Sequence, residues 1–224
     1  MNYKIHRQMS ESFLIAAFLS ISGGLQDAYT YIFRGGVFAN AQTGNIVLLA
    51  QCIAGKGELP AIHYIVPLGS FAVGIIIAES IRLKFQRVRR IHWRQLVVLL
   101  EILLLLIVGF LPESCNIIAN AMVSFSCAMQ VQTFRKVNGY AFASTMCIGN
   151  IRSGMEALCL YIQNKDRQIL FKACCYFGII GLFGVGAAVG GCFIALMDAR
   201  TIWLSCGLLL ISFLFMFIHQ EERI

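Results

Sequence analysis

Charged residues are scarce in this sequence. Asp, Glu, Lys and Arg make up 13% of its 224 residues, about half the fraction found in soluble domains. Hydrophobic residues make up 58%, and the mean hydropathy is +0.76. The chain has only three prolines and no low-complexity stretch. A soluble domain is thereby excluded, and we predict an integral membrane protein that has membrane lipid as its main partner.

Motifs for enzyme chemistry are also missing. The four His residues lie far apart at the ends of apolar segments, and there is no HExxH, GxSxG or phosphate-binding loop. The nine Cys residues form neither a CxxC nor a His-paired metal spacing. We therefore expect no enzyme, no catalytic residues, no cofactor and no metal site.

Eight apolar stretches follow one another along the chain, most of them near the roughly 20 residues that a helix needs to cross a bilayer. They cover residues 12–33, 36–54, 61–81, 95–111, 115–134, 141–162, 171–197 and 201–218. The first stretch looks like a signal peptide, but its apolar character continues to residue 33, so we predict a first membrane span. The sequence predicts an all-α, polytopic transmembrane helical bundle.

The two halves of the chain resemble each other. Gln26 matches Gln132, and residues 44–46 match residues 149–151, both of which read Gly-Asn-Ile. The alternative is chance similarity between apolar stretches, which the matches at polar positions disfavour. We therefore predict an internal duplication within one membrane domain.

The distribution of basic residues indicates how many stretches cross the membrane. If all eight cross, Lys and Arg hardly differ between the two sides. If 36–54 and 141–162 instead enter and leave on one side, 14 of the 18 Lys and Arg residues face one side and three face the other. We predict six spans plus two re-entrant or broken polar helices, with both termini cytoplasmic; eight spans are the alternative. The net charge of +7 then reflects cytoplasmic loops, and we expect no binding to nucleic acid.

With six spans each half crosses three times, so the second half is inserted upside down relative to the first. The predicted repeats cover residues 1–112 and 113–224. Inverted repeats of this kind are typical of secondary transporters, in which broken helices of the two halves meet near the midplane.

Residues 38–50, with the sequence FANAQTGNIVLLA, are unusually polar for a membrane segment. Unpaired amides in lipid are costly, so this segment must be enclosed by protein or line a water-filled cavity. We predict that it and its counterpart line a solute path, with the Thr43 hydroxyl capping a half-helix. The predicted path residues are Gln26, Asp27, Asn40, Gln42, Thr43, Gly44, Asn45, Gln132, Ser144, Thr145, Gly149 and Asn150.

The two glycines of this set have two interpretations. Gly44 and Gly149 either mark the starts of half-helices, whose N-termini favour an anion or a carbonyl-bearing solute, or only let helices pack closely. The glycines of the seventh stretch, residues 178–191, are predicted to serve packing.

Four ionisable residues within the spans are candidates for ion coupling or ion pairing. Asp27 is the main candidate for proton or cation coupling; the alternative is an ion pair with Arg34. Glu101 is either a second coupling acid or bridges to the basic loop. Arg152 and Glu156, four residues apart, are predicted to neutralise each other.

The polar signature resembles that of the YoaK family, bacterial integral membrane proteins classed as a domain of unknown function. Residues 26–45, QDAYTYIFRGGVFANAQTGN, and 129–150, MQVQTFRKVNGYAFASTMCIGN, carry the resemblance. It implies a six-span protein of the bacterial inner membrane with an Asp27-Ala28 pair and a Thr43-Gly44-Asn45 motif. The second half departs from the pattern at Gln132-Thr133 and Ile148-Gly149.

Three functions are compatible with these features. The first is a small-solute transporter or channel, for which a homodimer is expected because six spans are few. The second is a non-transporting membrane interaction or sensory protein whose polar core fixes helix packing. A membrane enzyme ranks third.

Overall fold

The computed structural model describes residues 12–86, 93–137, 140–142 and 144–218. Within these ranges the chain forms eight α-helices and one short β-hairpin, which confirms the all-α prediction. The helices are α1 (Phe13–Ile32), α2 (Gln42–Ile53), α3 (Ile62–Phe85), α4 (Trp93–Val108), α5 (Asn116–Thr133), α6 (Cys147–Asn164), α7 (Arg167–Met197) and α8 (Ile202–Ile218). The hairpin pairs β1 (Lys136–Val137) with β2 (Tyr140–Ala141).

Short polar side chains set two of the helix starts. The Ser12 hydroxyl accepts a hydrogen bond from the Ile15 N–H at 3.3 Å before α1, and the Asp166 carboxylate accepts one from the Gln168 N–H at 2.8 Å before α7. Between α6 and α7, Lys165 takes the left-handed conformation with φ 54°. This tight turn folds α6 back against α7.

Helices of the first half pack mainly against helices of the second half, and the contacts of α1 are mirrored by those of α5. α1 packs against α7 and α8, whereas α5 packs against α3 and α4. α2 lies on α3, α6 lies on α7, and α4 contacts α8. The main apolar core is formed where α1, α4, α5 and α8 meet, and Leu25, Val98, Val123 and Leu209 are fully buried there.

Large apolar side chains cover the outside of the bundle. Ile53, Phe110, Ile148 and Leu196 are each at least 75% exposed, as expected for a surface that faces lipid. By length and hydropathy alone, two segments of the described chain qualify as membrane spans, Ile62–Phe85 and the continuous stretch Arg167–Met216. The basic residues Arg87, Arg89 and Arg90 of the predicted cytoplasmic loop lie outside the described residues, as do both termini.

Each of the eight predicted apolar stretches contains one helix. In the second and sixth stretches the helix begins six residues after the apolar stretch does, at Gln42 and Cys147. The residues before these two helices are non-helical, and part of this irregular chain is buried. Val37, Ala39 and Ser144 have at most 1% of their surface exposed.

Candidate functional site: two irregular segments on helix α1

The irregular segments before α2 and α6 meet on the same turn of α1. The Asn40 side-chain amide donates a hydrogen bond to the Gly23 carbonyl at 3.1 Å. The Thr145 methyl group lies against Gly23 so closely that a Cβ there would be 2.3 Å from it. One turn earlier, the Ser20 hydroxyl donates to the Ser144 carbonyl at 2.6 Å. The missing side chain at Gly23 therefore makes room for chain from both halves of the protein.

Asp27 caps the N-terminus of α2. Its carboxylate accepts a hydrogen bond from the Asn40 N–H at 2.7 Å and faces the amides of Ala39 and Ala41 as well. The N-cap position itself is Ala41, which has no side chain able to cap. A carboxylate at this end is favourable because the helix N-terminus carries free N–H groups and partial positive charge. The prediction that Thr43 caps this helix is wrong, because Thr43 lies inside the first turn of α2 with its side chain exposed.

Arg34 does not pair with Asp27, so that alternative is also wrong. The guanidinium is fully buried and donates to the Tyr29 hydroxyl, the Asn116 side chain and three backbone carbonyls at the C-terminal end of α4. These carbonyls belong to Val108, Leu111 and Pro112. The last carbonyls of a helix lack intrahelical partners and carry partial negative charge, which makes them suitable acceptors for a cation.

Asn45 and Gln42 hold the irregular segment in place. The Asn45 side chain, fully buried, accepts from the Phe38 N–H at 3.0 Å and donates to the Phe38 carbonyl at 2.7 Å. It also donates to the Gln42 side chain at 2.9 Å, and Gln42 donates to the Ala39 carbonyl at 2.8 Å. Gly44 lies under the Phe38 ring, where a Cβ would come within 2.8 Å. These polar groups stabilise the segment itself and leave Asn40 as the amide that reaches the neighbouring helix.

Gln26 connects three helices in the core. Its amide donates to the hydroxyls of Ser22 at 2.9 Å and Ser205 at 2.8 Å, and its oxygen accepts from the Cys127 thiol at 2.8 Å. Cys127 also lies near Asp27 and Glu101. The network therefore extends from the α2 cap on α1 through α5 towards α4 and α8.

In the second half, Gln130 links α1 to the irregular segment before α6. The sequence did not reveal this role. Its amide donates to the Leu19 carbonyl at 3.1 Å and to the Ser144 hydroxyl at 2.9 Å. The predicted Gln132 instead donates to Glu79 on α3 at 2.7 Å, near the end of the bundle where Glu79 also pairs with Arg82. Gln130 lies outside the duplicated motif, so only its position among polar residues in an apolar helix could have suggested it.

The other predicted residues of the second half are divided between the interior and the surface. Thr145 and Asn150 are buried, with 8% and 4% of their surface exposed. Gly149 is exposed, and no atom lies within 4 Å of where its Cβ would be. Arg152 and Glu156 form the predicted ion pair at 3.0 Å, on the exposed face of α6.

Where the two irregular segments meet α1, two buried polar atoms lack hydrogen-bond partners. They are the Asn40 side-chain oxygen and the Thr145 hydroxyl, one from each irregular segment. Buried polar groups are almost always paired, and leaving one unpaired costs about 1–3 kcal/mol. Both atoms lie around the Gly23 turn of α1, one turn from Asp27, and they define the candidate site.

Among the described residues, no three His, Cys, Asp or Glu side chains are grouped so that they could hold a metal ion. The polar groups of the site are neutral amides and hydroxyls together with one carboxylate.

Most of the chain matches a known protein family. The family model described as "Protein of unknown function (DUF1275)" matches residues 15–215. The chain belongs to the DUF1275 family. It is also similar to the UPF0700 transmembrane protein YoaK of Bacillus subtilis, with 25% identity over 187 residues that cover 78% of this chain and 80% of that protein. The resemblance to the YoaK family is therefore confirmed, and the chain is a multi-pass membrane protein. No solved structure matches it.

Proposed function

We propose that this DUF1275 protein is a small-solute transporter or channel of the bacterial inner membrane, with its solute site at the Gly23 turn of α1. The observation that carries the proposal is the meeting of two buried, non-helical segments from different halves of the chain. Irregular backbone at membrane depth is tolerated only inside protein or along a water-filled cavity, which is the usual setting of a transporter site.

The reciprocal helix contacts support two inverted repeats, residues 1–112 and 113–224. If α1 to α4 correspond to α5 to α8, the pair α1 and α7 corresponds to α5 and α3. In the same way α2 on α3 corresponds to α6 on α7, and α1 on α8 corresponds to α5 on α4. Such a pairing is what a pseudo-two-fold axis between two halves produces, and it supports six spans with α2 and α6 as broken helices.

The chemistry of the site favours a solute with hydrogen-bond donors. Asn40 offers an unpaired carbonyl oxygen, Thr145 a hydroxyl and Asp27 a carboxylate. An anion at the N-terminus of α2, as the sequence suggested, would compete with the Asp27 carboxylate that already binds those N–H groups. We therefore assign the site to a cation or a neutral polar solute, and we assign no catalytic step to it.

The accessibility of Thr145 to water tests this function. Thr145→Cys is placed in a background in which the native cysteines are replaced, reconstituted in liposomes and treated with a membrane-impermeant methanethiosulfonate reagent. We expect labelling at position 145 because a solute path must hydrate it. The matched control is Val123→Cys, at a fully buried apolar position of the core, which should stay unlabelled.

Failure to label position 145 from either side would contradict a solute path. The polar groups around the Gly23 turn would then only fix the packing of the helices, as in a non-transporting interaction or sensory protein. Equal labelling of positions 145 and 123 would contradict the proposal too, since the reagent would then be entering the core without a defined path.

A further inference from the structure

Glu101 is a buried acid that the solute site does not use. It stands on α4 with none of its surface exposed, on the same face as the fully buried Val97, Leu105 and Val108. Neither of its carboxyl oxygens has a hydrogen-bond partner. The predicted bridge from Glu101 to the basic loop is not formed within the described residues, and loop residues 87–92 lie outside them.

In the part of the chain that the structure describes, Glu101 has no counter-ion within hydrogen-bonding distance. On α5 and α8, the helices packed against α4, the titratable neighbours are the thiols of Cys127 and Cys206, and Cys206 faces the backbone of the adjacent Ile102. On α3, Glu79 and Arg82 pair with each other. Among the described residues, no charged side chain forms a hydrogen bond or an ion pair with Glu101.

An ionised carboxylate cannot remain in such a place. Burying an unpaired charge costs far more than taking up a proton, so Glu101 is the neutral acid in this conformation. The neutral acid contributes little to stability here either, because its O–H has no acceptor and an unpaired buried donor is a cost. Favourable interactions become available to Glu101 only in a conformation that brings water or a partner to it.

Glu101 and Asp27 lie at comparable depth. Arg34, just after α1, binds the carbonyls at the end of α4, so the two helices end on the same side. Asp27 lies a little over one turn before the end of α1, and Glu101 lies two turns before the end of α4. The Cys127 thiol lies near both acids and donates to Gln26, the neighbour of Asp27.

We propose that Glu101 is a proton-binding site, which holds a proton while the core is closed and releases it when the core opens beside the Asp27 site. This inference rests on the proposed transport function, because a proton that is bound and released in step with opening is what couples flux to a proton gradient. The proton remains on the Glu101 carboxyl oxygen in the closed state and passes to water in the open state.

Infrared difference spectroscopy of the full-length protein in liposomes tests the proposal. A neutral carboxyl group without hydrogen bonds gives a carbonyl stretch at the high-frequency end of the carboxylic acid region. We expect this band in the wild-type protein, and we expect its intensity to fall as the pH is raised. Glu101→Gln should remove the band, whereas Glu156→Gln, at an exposed and ion-paired carboxylate, should leave it unchanged.

Identical spectra of the wild-type protein and Glu101→Gln would overturn the proposal, because Glu101 would then not be a neutral acid. A band that keeps its intensity at every pH at which the protein stays folded would also overturn it, because the proton would never be released. Asp27→Asn separates any contribution of Asp27 from the band of Glu101.

A second measurement needs no variant. Dicyclohexylcarbodiimide enters from lipid and reacts with neutral carboxyl groups but not with carboxylates, and mass spectrometry locates the modified peptide. Labelling of Glu101 that decreases at high pH supports the site.

If Thr145→Cys stays inaccessible while the Glu101 band still titrates, the transport function fails and the proton site remains.

Discussion

Arg34 brings a full positive charge into the bundle and satisfies all of its donors with neutral oxygens. Five N–H groups reach five acceptors at 2.9–3.1 Å, and the guanidinium also packs over the rings of Tyr29 and Phe33. Its charge is balanced by the partial negative charge at the end of α4 rather than by a carboxylate. The residue therefore fastens the chain after α1 to the end of α4.

Arg34→Lys is expected to destabilise the protein strongly. A lysine ammonium group has three donors on a flexible stem and cannot match the planar guanidinium, so at least two of the five acceptors lose their partner. We expect the free energy of unfolding to fall by about 3 kcal/mol. Thermal unfolding in detergent measures this against Arg152→Lys, whose side chain is exposed and which should melt like the wild type. Equal melting temperatures for the two variants would contradict the assigned role.

Two substitutions at Asp27 separate its structural role from its charge. Asp27→Asn keeps an oxygen that accepts from the Asn40 N–H, so the cap of α2 survives and the fold should be retained. Asp27→Leu removes the acceptor and leaves buried N–H groups unpaired, which should cost about 1–3 kcal/mol. Circular dichroism melts of both variants check this, and equal stability of the two would show that Asp27 does not cap α2.

Some of these residues could be read from the sequence and others could not. Polar residues such as Asp27 and Asn40 are conspicuous in an apolar chain, because burying them without a partner is costly. The partners themselves are not predictable, since Ser205 meets Gln26 across 179 positions. Four of the five acceptors of Arg34 likewise lie far along the sequence, between Val108 and Asn116.

Among the helices, the α1 and α7 crossing depends on glycines. A Cβ at Gly186 would lie 2.0 Å from the Ile21 carbonyl oxygen, and one at Gly24 would lie 2.0 Å from that of Phe183. The backbones are thus in direct contact, as small residues permit in membrane bundles. The predicted packing role is confirmed for Gly186 and Gly190, whereas Gly184 faces open space.

The two kinds of glycine in α7 provide a matched pair of substitutions. Gly186→Ala forces α1 and α7 apart and should lower the free energy of unfolding by roughly 1–3 kcal/mol. Gly184→Ala adds the same methyl group to the same helix without a contact, and it should be neutral or slightly stabilising. Denaturant titration in micelles compares the two variants. A loss of stability at Gly184 as large as at Gly186 would contradict the crossing.

The starts of helices α2 and α6 could not be predicted from the sequence pattern. The apolar character of residues 36–54 and 141–162 predicts one segment each, because hydropathy does not distinguish helix from buried irregular chain. What makes 37–41 non-helical is tertiary contact, namely the Asn45 bonds to Phe38 and the Asp27 cap. In the second half, the Ser20 and Gln130 contacts with Ser144 hold the segment before α6 in a similar way.

For the whole molecule, we propose that two oppositely oriented halves bring their irregular segments together on α1. A duplication could be suspected from matching polar residues, but the reciprocal packing of α1 on α7 and α5 on α3 involves helices far apart in the sequence. The proposed inversion also predicts six crossings, because an inverted second half requires the loop after α6 to lie opposite the loop after α2.

Labelling that shows on which side of the membrane these two loops lie tests the inverted halves most directly. Lys56→Cys, before α3, and Asn164→Cys, at the end of α6, both lie at exposed positions and are introduced into a background in which the native cysteines are replaced. Each is labelled in intact cells with a membrane-impermeant maleimide, before and after permeabilisation. We expect position 56 to react from outside and position 164 to react only after permeabilisation. Reaction of both from the same side would mean eight crossings and would contradict inverted halves.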